Sequence, residues 1–243
     1  MERPVSGSSL IAACAALAVV SFLLLSQPAA SMEFGADVQI VNNSNRQENP
    51  SVAVSAGGTI FVVWQDDRNH AGSTSDIYFA KSTDNGTTFT GITRIDDAAS
   101  NTDQQTPKIA IDSNGKLHVV WTDARSGSYY KIFYTNSTDN GTTWSTNVQV
   151  NASTPNTQAG PDIAIDSNDN LYIAWEDLRS GYHVYMSKST NGGSSFSASV
   201  KLDSSSGQAR HPSICAAPND NLTVAWDDVS CLSEDMIALF QLR

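Results

Sequence analysis

The sequence is poor in cysteine and in segments that favour helices. Its 243 residues include three cysteines, and because Cys14 lies in the N-terminal leader, Cys215 and Cys231 remain. Two thiols form neither a disulfide framework nor a four-ligand zinc site, and their spacing in the last repeat predicts no bond between them. We therefore expect a fold that depends on its apolar core, with no metal site and no cofactor.

Basic side chains are also few, 14 Lys and Arg against 25 Asp and Glu, which makes the formal charge −11. This charge argues against nucleic acid and against anionic membrane surfaces as partners, because both are themselves negative. Only 16% of the residues are charged, while Ser, Thr, Asn and Gly are abundant. Such a composition is typical of an extracellular all-β protein rather than of a cytosolic α/β enzyme or a disordered chain.

One long apolar run, residues 10–25, lies near the N-terminus. As a helix it would span about 24 Å, less than the hydrocarbon layer of about 30 Å. The small-residue stretch Gln27–Ser31 follows it and suits cleavage. We therefore expect a signal peptide over residues 1–31 and a secreted or extracellular mature chain with no membrane span. The alternative is an uncleaved segment that anchors the protein at the cell surface.

Internal repeats dominate the rest of the chain. Four prolines are each followed by a tryptophan 14 residues later, and an aspartate comes two residues after each tryptophan. The proline and tryptophan pairs are Pro50 and Trp64, Pro107 and Trp121, Pro161 and Trp175, and Pro212 and Trp226. The first three repeats complete a Trp-x-Asp-x-Arg motif, whereas the fourth has Ser230 in place of the arginine. The sequence therefore contains four copies of one unit.

Each repeat shows the period-two alternation and the turn residues of short antiparallel strands. In the second repeat a hairpin turns at Ser113–Gly115, and two further strands follow at 131–135 and 147–150. Four strands in roughly 50 residues, repeated, indicate the blades of a β-propeller. We predict an all-β propeller of four-stranded antiparallel blades over residues 32–243. The predicted blades lie at about 48–96, 105–150, 159–202 and 210–242.

The two ends of the repeat array are complementary. Residues 37–42 align with the fourth strands of other repeats, and residues 235–240 align with the third strands. Pairing of the N-terminal strand with the last blade would close the ring and remove its open edges. Two alternatives stay open: the chain is a fragment of a longer propeller, or two chains form an eight-blade homodimer.

Another repeated segment, present in the first three repeats, resembles the Asp-box, or BNR repeat, of sialidase-like propellers. These propellers usually have six or more blades. The copies of the segment are Ser82, Asp84, Gly86 and Phe89, then Ser137, Asp139, Gly141 and Trp144, then Ser189, Asn191, Gly193 and Phe196. The glycines suit positive φ at a hairpin, the Asp or Asn accepts backbone N–H bonds, and the aromatic rings pack between sheets. The resemblance implies that these segments lie at the periphery of the blades, away from the ligand face.

The Trp-x-Asp-x-Arg motif has two interpretations. Arg68, Arg125 and Arg179 could surround the mouth of the axis and bind a carboxylate. Alternatively, each arginine pairs with an aspartate and locks its loop. The aspartates are Asp66, Asp123, Asp177 and Asp228. A catalytic site needs different groups in different places, so repetition of the motif in every blade favours the structural interpretation.

The catalytic residues implied by the resemblance are only partly present. Sialidases open the first blade with Phe/Tyr-Arg-Ile-Pro, but Glu48 stands in the place of that arginine here. Arg210 precedes His-Pro in the last blade, and Tyr182 and Glu176 are candidates for a nucleophile and its partner, although no spacing selects them. We therefore predict a non-catalytic binding or surface-interaction module for a glycan or an extracellular protein, with an exo-glycosidase of the sialidase type as the alternative.

Overall fold

A computed structural model describes residues 35–70, 74–99, 101–151, 155–204, 207–229 and 236–242. The chain divides into a unit at Met1–Asp37 and a larger unit at Val38–Arg243, which contains all of the described strands. Within the described ranges there are fifteen strands and no helix, and hence no helix that could span a membrane. The signal peptide predicted for residues 1–31 lies outside these ranges.

The strands form four antiparallel sheets in which neighbours along the chain are neighbours in the sheet. Blade 1 comprises β1 (Gln47–Val54), β2 (Ile60–Asp66), β3 (Asp76–Ser82) and β4 (Thr90–Arg94). Blade 2 comprises β5 (Gln104–Ile111), β6 (Leu117–Asp123), β7 (Lys131–Ser137) and β8 (Val148–Gln149). Blade 3 comprises β9 (Gln158–Ile165), β10 (Leu171–Asp177), β11 (His183–Ser189) and β12 (Val200–Lys201). Blade 4 comprises β13 (Gln208–Ala216), β14 (Leu222–Val229) and β15 (Met236–Leu242). The all-β propeller predicted from the repeats is confirmed.

The apolar core lies between consecutive blades. We call the face of a blade that meets the next blade in the chain its forward face, and the opposite face its rear face. The forward face of blade 1 contains Phe61, Val63, Ile77 and Phe79. It packs on the rear face of blade 2, which contains Leu117, Val119, Trp121 and Phe133. Two further clusters join blade 2 to blade 3 and blade 3 to blade 4 in the same way. Successive residues of a strand point to opposite faces, so each inner strand contributes to two interfaces.

In blades 2 and 3, the turn between the third and fourth strands packs against the preceding blade; we call these turns, together with the equivalent turn of blade 1, the Ser-Asp-Gly turns. Gly141 has φ 77° and lies so close to Phe79 of blade 1 that a Cβ at this position would overlap the ring. Trp144 of the same turn meets Phe79 edge-on, with ring centroids 5.1 Å apart. Gly193 and Phe196 meet Tyr134 of blade 2 in the same manner. The turns therefore contribute directly to the blade interfaces.

The two ends of the array do not pair in the described residues. Residues 37–42 form no strand, and Ile40 and Val41 instead pack beside Val62 and Trp64 on the rear face of blade 1. That face is not met by a preceding blade in the described chain, so the two apolar side chains gain contacts there. β15 lies at the edge of the three-stranded sheet of blade 4. Closure of the ring by residues 37–42 stays a prediction.

Candidate functional site

The first strands of all four blades converge on a cavity of 380 Å³. Each contributes its proline and the residue before it, which are Asn49, Thr106, Gly160 and His211 in blades 1 to 4. Lys108 and Asp162, which follow two of the prolines, also line the cavity. Because every blade contributes to its wall, we call it the axial cavity.

The residue before each of these prolines has a left-handed backbone. The φ angles are 51° at Asn49, 50° at Thr106, 57° at Gly160 and 49° at His211. The pairing of each first strand with the second strand shifts register at the same place, which marks a β-bulge. Positive φ is disfavoured for a β-branched residue such as Thr106 and for any residue that precedes proline. Such strain persists where the surroundings enforce it, as at ligand sites.

The side chains after the first two repeated tryptophans support these bulges. Gln65 Oε1 accepts hydrogen bonds from Asn49 Nδ2 at 2.7 Å and from the Thr106 backbone N–H at 3.1 Å. Thr122 Oγ1 lies 3.0 Å from Thr106 Oγ1 and accepts the Gly160 N–H at 3.1 Å. Each of these side chains therefore holds the bulge of its own blade and that of the next blade.

The repeats differ from one another at the axial cavity. The four residues before the prolines are Asn, Thr, Gly and His, and those after the prolines are Ser51, Lys108, Asp162 and Ser213. The residues after the tryptophans are Gln65, Thr122, Glu176 and Asp227. The prolines, tryptophans and motif aspartates between these positions are the same in all four repeats. A group that only stacks blades is expected to recur, whereas a single ligand requires different contacts from each blade. These differences are visible when the four repeats are aligned with one another, but the repeated motifs alone do not indicate them.

The cavity presents both donors and acceptors. Asp162 Oδ2 accepts the Ile214 N–H at 2.9 Å, which fixes the carboxylate, and Lys108 is exposed at the equivalent position of blade 2. His211 Nδ1 lies 2.9 Å from Asp227 Oδ2, and both side chains are largely exposed. Charges of both signs and a polar ring suit a ligand that carries several hydroxyl groups.

The three catalytic candidates from the sequence lie together beside this cavity. The guanidinium carbon of Arg210 is 4.2 Å from the ring centroid of Tyr182, and its Nε is 3.5 Å from Glu176 Oε2. Among the described residues, neither that Nε nor that carboxylate oxygen has a hydrogen-bond partner, although both are buried. Glu176 Cγ lies 3.9 Å from the point where a Cβ on Gly160 would stand, so the cluster borders the cavity. The catalytic roles of these residues stay predictions.

The arginines of the Trp-x-Asp-x-Arg motif are held by their own blades. Arg68 Nη2 is 2.6 Å from Asp66 Oδ2, and the corresponding distances are 2.8 Å for Arg125 and Asp123 and 2.6 Å for Arg179 and Asp177. The tryptophan indole of each motif donates to the same carboxylate at 2.9, 2.8 and 3.3 Å. Each guanidinium also covers a third-strand aromatic ring at 4.1 to 4.4 Å. Of the described residues that line the axial cavity, none is one of these arginines.

The contacts of two of the motif aspartates lower their pKa values. Burial acts to raise the pKa of Asp66 and Asp177, but the hydrogen bonds from arginine and tryptophan outweigh it, so both pKa values lie below the ordinary range. In blade 4 the buried Asp228 Oδ1 and the Trp226 indole N–H have no partner among the described residues. Ser230, which replaces the arginine there, lies outside those residues.

The Ser-Asp-Gly turns form a second repeated set of carboxylate contacts. Asp84 accepts from Ser82 Oγ at 2.7 Å and from the backbone N–H and hydroxyl of Thr88 at 2.9 and 2.6 Å. The bonds from Thr88 lower the pKa of Asp84 to about 2, and the equivalent bonds do the same for Asp139. Asn191 makes the corresponding contacts without a charge. These side chains stabilise turns and lie outside the axial cavity.

Thiols and metal ligands show no cluster in the described parts of the chain. No group of three or more His, Cys, Asp or Glu side chains there could hold a metal ion. Cys215 is an exposed free thiol, whereas Cys231 lies outside the described residues, so the predicted absence of a bond between them stays a prediction.

Comparison with known proteins identifies the family. The model of the BNR repeat-like domain matches residues 31–219. The Hadza microbial sialidase Hz136 has a similar structure, with a TM-score of 0.64 and 16% identity over 81% of this chain and 44% of that chain. The α-L-arabinanase of Penicillium chrysogenum, complexed with arabinobiose, gives 0.62 and 16% over 81% and 62%. The GH93 α-L-arabinofuranosidase of Fusarium graminearum, also with arabinobiose, gives 0.62 and 15% over 80% and 61%.

The comparisons with solved structures and with the domain family support different conclusions. The chain spans between 44% and 62% of the length of those three structures, and at such identities they show the fold alone. No curated protein matches the sequence at a significant level. The match of the domain model, in contrast, extends over most of the chain. The chain therefore belongs to the BNR repeat-like domain family and has the fold of a sialidase-like propeller.

Proposed function

We propose that the protein binds a short carbohydrate in the axial cavity. The observation that carries this proposal is the divergence of the four repeats at the residues beside the cavity-lining prolines, while the prolines themselves and the repeated tryptophans recur. Repeated support groups account for a stack of blades, but they give no reason for the side chains beside the prolines to differ between blades. A single asymmetric ligand at the centre of the four blades gives such a reason.

The size and polarity of the cavity support a sugar. A volume of 380 Å³ lies near the lower end of the range of small-molecule sites. It would therefore accommodate about one or two sugar rings. Lys108 and His211 can donate hydrogen bonds, and the carboxylate of Asp162 can accept them. The prolines supply apolar surface for the ring face of a sugar.

The similar structures suggest which sugars should be tested as ligands. Two of them were determined with arabinobiose, and a third is a sialidase. We would therefore titrate arabinobiose and a sialyl disaccharide separately into the purified protein, by calorimetry and by ligand-observed NMR. We expect Lys108→Ala and His211→Ala to weaken binding about tenfold each, which corresponds to about 1.4 kcal/mol.

Lys188→Ala is the matched control, because Lys188 lies over the ring of Tyr172 and does not line the cavity. It should bind as the wild type does. Binding that survives both cavity substitutions would place the ligand elsewhere and contradict the proposal, as would the absence of binding by either probe.

The second candidate function is hydrolysis of a terminal glycoside. It is favoured by the convergence of Arg210, Glu176 and Tyr182 beside the cavity. An arginine that lies over a tyrosine ring, next to a buried carboxylate, could bind a substrate carboxylate while the neighbouring groups act on the glycosidic bond. Incubation with a fluorogenic sialoside and a fluorogenic arabinofuranoside between about pH 4 and 7 tests this function. Turnover that is abolished by Arg210→Ala would mean that the protein is a glycoside hydrolase rather than a binding module. The absence of turnover would leave the binding proposal unchanged.

A further inference from the structure

The first strands of neighbouring blades meet near the axis, and a hydrogen bond joins them there at two places. The Ile109 N–H of β5 donates to Ser51 Oγ of β1 at 3.3 Å, and the Ile214 N–H of β13 donates to Asp162 Oδ2 of β9 at 2.9 Å. In both cases the acceptor is the residue after the proline of one blade, and the donor is the second residue after the proline of the next blade. We call the place where two such strands meet an axial seam.

The axial seam between blades 2 and 3 lacks this bond. Lys108 takes the place of Ser51 and Asp162 there, and Ile163 takes the place of the donor. A lysine ammonium group donates hydrogen bonds but cannot accept one, so Lys108 cannot pair with the Ile163 N–H. None of the described residues accepts that N–H in its stead. This seam therefore presents two donors and no acceptor.

The direction of the Ile163 N–H follows from the register of β9. In an antiparallel pair, opposed residues alternate between those that exchange backbone hydrogen bonds and those that do not. The first hairpins of blades 2 and 3 begin with the same backbone bond beside the turn, and the register then places Ile109 opposite Val119. It places Ile163 opposite Ile173, which is the equivalent pair. The Ile163 N–H therefore points away from β10 and toward the axis, as the Ile109 N–H points away from β6.

Neither donor of this seam is compensated by the described residues. Ile163 is 8% exposed, and an N–H that is buried without an acceptor loses its hydrogen bond to water and gains none in return. Lys108 lines the axial cavity, and in the described parts of the chain its side chain forms no ion pair and no hydrogen bond. A ligand group with two acceptor atoms would satisfy both donors.

We propose that the axial cavity takes a sugar acid, and that the carboxylate of this ligand binds at the seam between blades 2 and 3. One carboxylate oxygen accepts the Ile163 N–H, and the other accepts a hydrogen bond from the Lys108 ammonium group. The next seam provides a precedent within the chain, because the group that accepts the Ile214 N–H there is the carboxylate of Asp162. This inference rests on the carbohydrate binding proposed above and specifies the class of ligand as uronic acids.

The charges around the cavity make Lys108 the group that selects for an anion. The protein as a whole has a formal charge of −11, which repels anions rather than attracting them. The carboxylate of Asp162 is bound by a backbone N–H and lies 3.2 Å from the Ser213 hydroxyl, and that of Asp227 is held by His211. A preference for an acidic sugar over its neutral counterpart must therefore come from the donors at this seam.

Two disaccharides that differ only in their acidic groups test the proposal. Digalacturonate carries carboxylates where digalactose carries hydroxymethyl groups, and each would be titrated into the purified protein by calorimetry. We expect digalacturonate to bind about tenfold more tightly. Lys108→Met keeps the length of the side chain without its charge, and it should remove this preference. Lys188→Met is the matched control and should keep the preference, because Lys188 lies over the ring of Tyr172 and does not line the cavity.

Amide hydrogen exchange measured by NMR locates the bound carboxylate. Digalacturonate should slow exchange of the Ile163 amide, because it supplies the missing acceptor, and should leave the Ile109 and Ile214 amides unchanged, because the protein already supplies theirs. Lys108→Ser restores the arrangement that Ser51 has in blade 1. This variant should protect the Ile163 amide without any ligand and should lose the preference for digalacturonate.

The outcomes separate this inference from the proposed function. Absence of binding by these two sugars, by arabinobiose and by the sialyl disaccharide would contradict both. Digalactose or arabinobiose that binds as tightly as digalacturonate would leave the carbohydrate site in place and overturn the specificity for acids. The specificity would be assigned to the wrong group if the preference survived Lys108→Met or were lost in Arg210→Ala instead. Exchange at Ile163 that digalacturonate does not slow would refute the position of the carboxylate.

Discussion

The packing of the Ser-Asp-Gly turns predicts that equivalent glycines differ in their tolerance of alanine. Gly86 and Gly141 occupy the same place in blades 1 and 2, and their φ angles are 85° and 77°. Substitution by alanine therefore imposes the same backbone penalty at both, about 1–2 kcal/mol. At Gly86 a methyl group would make an ordinary contact with Ile60 at 3.5 Å, whereas at Gly141 it would overlap the buried ring of Phe79.

The difference between the two substitutions isolates the packing of blade 2 on blade 1. Overpacking of a closely packed core costs about 1–3 kcal/mol. Gly141→Ala should therefore lower the free energy of unfolding by about 2–5 kcal/mol, and Gly86→Ala by about 1–2 kcal/mol. At this chain length each kcal/mol corresponds to about 2–4 °C in the unfolding midpoint. Chemical denaturation followed by tryptophan fluorescence, together with calorimetry, would measure both.

A double substitution provides the control. Phe79→Leu shortens the side chain that the new methyl group meets, so Gly141→Ala should cost less in the Phe79→Leu background than in the wild type. It should leave the cost of Gly86→Ala unchanged, because Gly86 does not contact Phe79. Equal destabilisation by Gly86→Ala and Gly141→Ala, or additive behaviour with Phe79→Leu, would refute the packing of this turn on blade 1.

Two further predictions concern charged groups. Burial lowers the pKa of His118 from its ordinary 6.5 to about 4, so the unfolded chain binds more protons between these values and stability should fall by at most about 3 kcal/mol as the pH drops from 6.5 to 4. Urea denaturation across that range checks this, and His118→Gln should flatten the profile; an unchanged slope would contradict it. Arg125→Ala should lower the free energy of unfolding by about 1–3 kcal/mol, because it leaves the buried Asp123 carboxylate without its cation. Carbohydrate titration of the same variant should match the wild type, and loss of binding without loss of stability would instead favour an arginine ring at the axis.

The turns and the arginine clusters could be predicted because their contacts are local. Asp123 and Arg125 are two residues apart, and the repetition of the pair identifies a structural unit before any tertiary contact is known. Gly141 and Trp144 likewise belong to one hairpin, and their residue types indicate a tight turn with an aromatic side chain beside it. The prediction that residues 37–42 would form a strand rested on sequence alignment alone, and in the structure Ile40 and Val41 lie on the rear face of blade 1 instead.

The axial cavity could not be predicted in this way because its geometry depends on contacts between blades. Nothing in the local sequence gives Thr106 a left-handed backbone; the bulge is held by Gln65 of the preceding blade, far away in the chain. The same holds for Arg210 and Tyr182, which come together only when blade 4 packs on blade 3.

By itself, the sequence determined the class of fold, the repeat and the residues that form its turns, since these follow from period-two alternation and from glycine, proline and aspartate at fixed positions. The tertiary structure alone decided which equivalent residues are buried and which are exposed. Leu239 and Met186 are both apolar side chains at the same place in a strand, yet Leu239 is largely exposed and Met186 is buried. The difference arises because a following blade covers blade 3 in the described chain and none covers blade 4, and burial is a property of the neighbour as much as of the residue.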